Sequence, residues 1–255
     1  YHISGLKRGR NIAKSFSKLV NLKGKHMLEI GCGCGGLTIA FSEKGCITTG
    51  IDNNSTLPNL IYLASLRAKE NNQNVSFHEG TSENLPFESK SFDIVFCDDV
   101  LEHVNDIDQT MEEICRVVKD DGFIFLRTLD RFSPFVIMNE PHYNLPLITL
   151  FPVFISKFIV VNLLKKSSNY SVSKFPTHNQ ITRHFKKYNI NSLSFQKNKD
   201  YYVQTLKNVN KIESSYKKIL CLMITKLGLT SYLSYFSKFP WFHGPLKYFA
   251  SPNKK

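Results

Sequence analysis

Along the first half of the chain, short apolar runs alternate with stretches of helical spacing. His26-Met27-Leu28-Glu29-Ile30 is a brief apolar run ending at glycines, the pattern of a strand buried on both faces. Leu37 to Lys44 has helical spacing and stops at Gly45. Ile47 to Ile51 predicts a second strand, closing on Asp52. Leu57 to Lys69 predicts a helix with Leu57, Leu60, Ile61, Ala64 and Ala68 on one face. Val75 to His78 and Phe92 to Cys97 are the third and fourth strands. Ile107, Met111, Ile114, Cys115 and Val118 repeat at a helical period, Gly122 ends that region, and Phe123 to Arg127 is the fifth strand. Strands separated by helices imply right-handed crossovers and an α/β fold, a mostly parallel sheet flanked by helices. Ligands in such sheets bind beyond the carboxyl ends of the strands.

The second half is less regular. Leu145 to Leu164 is mostly apolar and of membrane-crossing length, but Pro146, Pro152, Lys157 and Asn162 argue against a span. An active-site cap or an interfacial helix fits better. Ile181 to Tyr188 predicts a short basic helix, Ile190 to Phe195 a sixth strand, residues 201–239 helix, and Leu246 to Ala250 a last edge strand. Residues 1–130 therefore form one expected unit, and residues 131–255 a cap that completes the sheet.

Charge sharpens that division. Residues 151–255 hold 18 Lys and Arg against two acids, a net of +16, while the first 150 residues carry a net of −4. The same back part holds 19 of the 32 aromatic residues. A basic, aromatic surface suits an anionic membrane or a nucleic acid, with a solvated basic face over an ordinary core as the plain alternative. The 255 residues, with 42% hydrophobic and 21% charged, exclude wholesale disorder and a multi-span membrane protein. Six cysteines without paired spacing predict a reducing, cytoplasmic setting. The chain starts at Tyr1 rather than Met, which leaves open a missing natural N-terminus and a lost targeting segment; none is visible in what remains.

The candidate chemistry begins at Leu28-Glu29-Ile30-Gly31-Cys32-Gly33-Cys34-Gly35-Gly36, which follows a strand and opens a helix. Glycines let a backbone turn sharply and approach a ligand closely. Asp52, at the end of the second strand, can accept both hydroxyls of a ribose. Gly31, Gly33 and Gly36 formally match the dinucleotide fingerprint, so a nicotinamide dehydrogenase remains open on the glycines alone. Cys32 and Cys34 have no third or fourth ligand at zinc spacing, and no metal is expected.

Four blocks in order decide between these readings. Glu29 to Gly35 resembles motif I of the class I S-adenosylmethionine-dependent methyltransferases. Gly50-Ile51-Asp52 resembles their ribose-binding strand end. Gly80-Thr81-Ser82-Glu83-Asn84-Leu85-Pro86-Phe87 and Phe92 to Val104 resemble the loop and strand-four blocks of the ubiquinone-biosynthesis-like, type 11 branch. The resemblance covers roughly residues 24–130 and implies a Rossmann-like core with S-adenosylmethionine as cofactor. It implies that Glu29, Gly31, Gly33 and Gly35 line the cofactor's amino-acid and ribose side. Asp52 would bind the ribose, Asn53 would lie beside the adenine, and Thr81 and Ser82 near the adenine amine. Thr81 departs from the aspartate usual there; a hydroxyl can still accept from the amine. Asp98 would lie under the methionine part or face the substrate. His103 is expected to hold the loop beside the cofactor.

Glu140-Pro141-His142 falls after the fifth strand, behind Asp130, Arg131 and Phe132, in a pattern that resembles type 11 enzymes of surface-glycan or lipid pathways. O-methylation benefits from a base, and a histidine suits neutral pH, which makes His142 a candidate base with Glu140 beside it; the alternative is a loop histidine satisfied by Glu140. His178, in Thr177-His178-Asn179, is a second candidate, with an N-cap loop as the alternative. The chain lacks the Asn/Asp-Pro-Pro-aromatic loop of amine methylation after strand four, having Asp98-Asp99-Val100-Leu101 instead. The expected reaction is direct transfer to an oxygen of a small or lipid-linked acceptor at a membrane surface. The alternatives are an RNA methyltransferase using the basic back part, disfavoured by its single arginine, Arg183, and a nonenzymatic cofactor-binding protein. The sequence does not speak to oligomeric state.

Overall fold

The computed structural model describes residues 2–54, 58–129, 136–137, 140–172, 175–194 and 246–252. The expected helix over 201–239 and the residues Asp130, Arg131 and Phe132 lie outside them. Seven strands form one sheet in the order β3-β2-β1-β4-β5-β7-β6. They are β1 His26–Ile30, β2 Ile47–Asp52, β3 Val75–Glu79, β4 Phe92–Asp98, β5 Val118–Thr128, β6 Ile190–Ser194 and β7 Leu246–Pro252. The first five are parallel, and β7 lies antiparallel to both β5 and β6. The helices are α1 His2–Phe16, α2 Gly36–Ser42, α3 Leu60–Glu70, α4 Ile107–Val117, α5 Val153–Lys157 and α6 His178–Lys187.

The central strands bury both faces, as a parallel sheet covered by helices must. Leu28, Val95, Cys97, Ile124 and Leu126 pack under α4 and α6 on one face. Met27, Ile94 and Phe96 meet Phe41 of α2 and Phe16 of α1 on the other. Phe16, Phe41, Phe96 and Phe125 form an aromatic cluster with ring centroids 5.0–6.2 Å apart.

The structure corrects the sequence reading at three places. Leu246–Pro252 is an interior strand; it slots between β5 and β6, buries Ala250, and leaves β6 as the edge. Helix α4 ends at Val117, and Val118 already begins β5, so no loop separates helix from strand. The helical period continued by one residue because Val118 is buried in either state. Helix α1 had no signal strong enough to predict it. Its buried residues Leu6, Ala13 and Phe16 are sparse among Lys7, Arg8, Arg10 and Lys14. A Cβ on Gly9 would stand 2.5 Å from the Gly36 carbonyl oxygen, and one on Gly36 2.7 Å from the Gly5 backbone. Only glycines allow α1 to cross the start of α2 this closely.

Candidate active site

Strand β1 stops at Ile30, and the chain turns through Gly31 to Gly35 into α2 at the carboxyl end of the sheet. Gly31, Gly33 and Gly35 have φ of +71°, +50° and +70°, where side chains are strained. A side chain at Gly31 would collide with Val100, and at Gly35 with Phe77 at 2.6 Å. At Gly33 a Cβ would meet nothing within 4 Å. The first and third glycines thus serve packing, and the second faces open space.

The turn is tied to β2. Gly31 and Cys32 donate their N–H groups to the Ile51 carbonyl at 2.8 and 3.1 Å. Gly33 donates to Asp52 Oδ2 at 2.9 Å, and Asn54 to Asp52 Oδ1 at 3.1 Å. Glu29 is buried in β1, and its Oε2 accepts from the Thr38 N–H at 2.8 Å and from the Thr38 hydroxyl. Burial pushes the Glu29 carboxyl up to about 8, against the pull of those Thr38 bonds. Burial also pushes the Cys32 and Cys34 thiols up, so neither is a ready thiolate.

Asp98 ends β4 beside this turn and pairs with both Arg8 of α1 and Arg127 of β5. Arg127 also pairs with Asp99, a residue in the left-handed region at φ 57°. Burial raises the Asp99 carboxyl, with Arg127 opposing. Sequence reasoning missed Arg8 because its place depends on the glycine contact between α1 and α2. Asn53 and Thr81 are exposed near the same strand ends. Ser82 is buried, with its hydroxyl 3.1 Å from both Thr110 Oγ1 and Glu83 Oε2, so its side chain braces the loop against α4.

The second candidate pair is brought together as the sequence suggested. Glu140 is wholly buried, contacts His142 Nδ1 through Oε1, and accepts from the Tyr143 N–H through Oε2 at 2.8 Å. A bridge between Glu140 and Leu145 closes the turn. Burial lowers the His142 pKa, but Glu140, with Glu102 and Asp99 behind it, outweighs burial and leaves it raised. The Glu140–His142 turn therefore stands within electrostatic reach of the end of β4. His103 meets His142 edge-on, with ring centroids 4.9 Å apart, and its Nδ1 is 3.0 Å from the Ser171 carbonyl oxygen. One donor atom each from Glu102, His103 and His142 lies within 4.8 Å of the others. Spacing could not have shown this cluster, because the loop after β5 brings His142 back over the end of β4. The Thr177 hydroxyl caps α6 by accepting from the Gln180 N–H at 3.2 Å, and burial lowers the neighbouring His178 pKa.

Five parallel strands of the sheet, a glycine turn into α2 and acids at or near the ends of β1, β2 and β4 make the carboxyl-end crevice in which such folds bind nucleoside ligands. The comparisons agree. A methyltransferase domain family matches residues 28–126. A ubiquinone biosynthesis O-methyltransferase of Pseudomonas fluorescens is 31% identical over 197 residues, spanning 74% of this chain and 81% of that protein. One from Coxiella burnetii is 33% identical over 118 residues, and there the match spans about half of each protein, 46% and 49%. The Bacillus YcgJ protein shares the fold, with a TM-score of 0.56 at 19% identity over 95% of this chain and 98% of that one. So does a Haemonchus contortus N-methyltransferase solved with S-adenosylhomocysteine, with a TM-score of 0.54 at 18% identity over 95% and 53%. The chain belongs to the class I S-adenosylmethionine-dependent methyltransferases, in the type 11 branch.

Proposed function

We propose that the protein transfers a methyl group from S-adenosylmethionine to a hydroxyl of a small or lipid-linked acceptor met at an anionic membrane surface. The observation that carries the reading is the turn from Gly31 to Gly35, open at Gly33 and bonded to Asp52. In this reading Asp52 takes the ribose hydroxyls, Asn53 and Thr81 flank the adenine, and Glu29 and Asp98 face the amino-acid part. Arg8 leaves Asp98 to meet the cofactor's carboxylate. His142 would stand on the acceptor side of the bound cofactor, which would supply the activated methyl group.

His142, oriented by Glu140, accepts the acceptor's hydroxyl proton as the oxygen attacks the methyl in line. The oxygen–carbon bond forms, the carbon–sulfur bond breaks, and S-adenosylhomocysteine leaves. Proximity and alignment supply most of the acceleration, with the base adding to it. The relatives named for ubiquinone biosynthesis support a quinone-precursor type of acceptor.

The membrane part rests on the segment after the His142 turn. Leu147, Val153, Phe154, Phe158, Leu163 and Leu164 are exposed along it, with Phe154 74% exposed, and Lys157 and Lys165 stand among them. Apolar side chains with interspersed lysines suit insertion at a headgroup boundary. No described helix is long and apolar enough to cross a membrane. Flotation with neutral and with anionic vesicles, in the presence of S-adenosylhomocysteine, tests this: binding to anionic vesicles that weakens in Phe154→Ser/Phe158→Ser is expected. Equal flotation of the variant, or none on anionic vesicles at low salt, overturns it.

A further inference from the structure

Arg127 stands at the carboxyl end of β5, opposite Asp98 in the register of β4 with β5. Its Nε–H donates to Asp98 Oδ1, and its Nη2 donates to Asp99 Oδ2. The Asp99 N–H in turn donates to the Arg127 carbonyl oxygen at 2.9 Å. Two acids thus hold one side of the guanidinium and fix its plane. A guanidinium carries five N–H donors arranged as a fork. Among the described residues no acceptor meets Nη1 or the second Nη2–H of Arg127, and the side chain is 21% exposed. That free end is the edge with which an arginine grips a carboxylate or a phosphate through two parallel bonds. The neighbourhood favours an anion there. The register of β5 with β7 sets Lys247 opposite Arg127, so the row across three strands reads Asp98, Arg127, Lys247. Like charges at opposite positions in a sheet are destabilising, and a shared anion removes that cost. Asp99 lies within electrostatic reach of both Arg127 and His142, so the guanidinium and the proposed base flank the same carboxylate.

We propose that Arg127 binds an anionic oxygen group of the acceptor, a carboxylate or a phosphate, carried near the hydroxyl that receives the methyl group. The proposal rests on the methyltransferase reading above and narrows the acceptor to an anionic one. Asp98 and Asp99 are positioning residues in it: they hold the guanidinium by its Nε side and leave the Nη1 end to the acceptor. Arg8, from a helix and half exposed, is the movable cation that serves the cofactor. Arg127, in a strand and held by two acids, is the fixed cation that serves the acceptor. A fixed fork loses little freedom on binding, so it selects among anions by shape as well as by charge. The formal charges of Arg8, Asp98, Arg127 and Asp99 cancel, so an anionic acceptor brings the negative charge that offsets the cofactor's sulfonium.

The test uses the full chain, with benzoate, phenyl phosphate and the neutral benzamide as probes. Each is titrated at constant ionic strength, with and without S-adenosylhomocysteine, and followed by ligand-detected NMR. Benzoate or phenyl phosphate is expected to bind about tenfold tighter than benzamide, or better. Tighter benzoate assigns the acceptor's group as a carboxylate, and tighter phenyl phosphate as a phosphate. Arg127→Gln is expected to remove the preference. Arg127→Lys keeps the charge but not the fork, and is expected to cut the preference about fivefold. Thermal unfolding shows which variants are folded. Benzamide bound as tightly as both anions, or a preference unchanged in either folded variant, overturns the proposal. So does displacement of the anion by S-adenosylhomocysteine, which would put it on the cofactor's side. Cofactor binding with no anion preference sinks the anion site alone, while an anion preference without cofactor binding sinks the methyltransferase reading and leaves the anion site.

Discussion

Each end of the parallel sheet sets an aspartate between two cations and puts it to different use. At the amino end, Asp93 sits between Lys25 and Lys119 at 3.0 and 2.9 Å and accepts from the His26 N–H at 2.9 Å. Burial there works to raise the Asp93 carboxyl, but these three donors outweigh it and hold it at about 2. Each oxygen of Asp93 has a lysine partner, and all the groups belong to strand starts or the residue beside them. At the carboxyl end, Asp98 also sits between two cations, but Arg8 arrives from a helix and is half exposed. Beside it Gly33 faces open space, and the buried Glu29 titrates near 8. An acid whose donors are all local strand groups fixes strand register. One held by a movable arm beside an open turn is ready to exchange that arm for a ligand.

Substitutions should separate the two ends. His142→Gln is expected to lower kcat about 10²- to 10⁴-fold while S-adenosylhomocysteine affinity stays within about twofold, measured by turnover and calorimetry. A variant that lost both equally would place His142 in the fold rather than the chemistry. Gly33→Leu builds from a position where a Cβ meets no described atom within 4 Å, so it should weaken S-adenosylhomocysteine binding about 100-fold or more, with a cost of about 1–3 kcal/mol from its positive φ. Cofactor binding unaffected by that leucine would mean the open side of the turn is not the cofactor's.

Asp93→Asn should do the reverse, costing about 1–3 kcal/mol in urea unfolding and leaving cofactor affinity unchanged. Asp93 holds its proton less readily folded than unfolded, so the unfolded chain takes up more protons as pH falls. Its stability contribution is complete above about pH 4 and is lost between about pH 4 and about pH 2. The variant should flatten that slope. Glu29 has the opposite sign: with its folded carboxyl near 8, the unliganded protein loses stability as pH rises from about 4.5 to about 8. Glu29→Gln should remove that decline. The smallest effect is expected for Arg8→Met, about a tenfold loss of S-adenosylhomocysteine affinity with little change in stability.

The central strands β1, β2 and β4 were legible because each is a short apolar run bounded by glycine, aspartate or a helical stretch and largely buried, whereas the edge strand β3 showed only through the alternation of Val75 and Phe77 with polar residues. The glycine turn and Asp52 were legible for a related reason: backbone geometry there demands particular residues. Arg8 was not, because α1 has few apolar positions and packs through Gly5 and Gly9, which carry no hydrophobic signal. The β7 strand was legible as a strand but not as an interior one, since register with β5 depends on chain reversal far from its own residues. Glu140 and His142 could be paired from two-residue spacing within one turn. Their meeting with Glu102 and His103 could not, because it depends on where the loop after β5 lands.

The central claim is that the carboxyl end of the sheet holds S-adenosylmethionine. Calorimetric titration of S-adenosylhomocysteine into the wild type and into Asp52→Ala tests it most directly. The account predicts one site per chain in the wild type and a loss of about tenfold or more in the variant, from the hydrogen bonds a carboxylate makes to the ribose. Absence of binding to the wild type, or equal affinity in a folded Asp52→Ala, would contradict it.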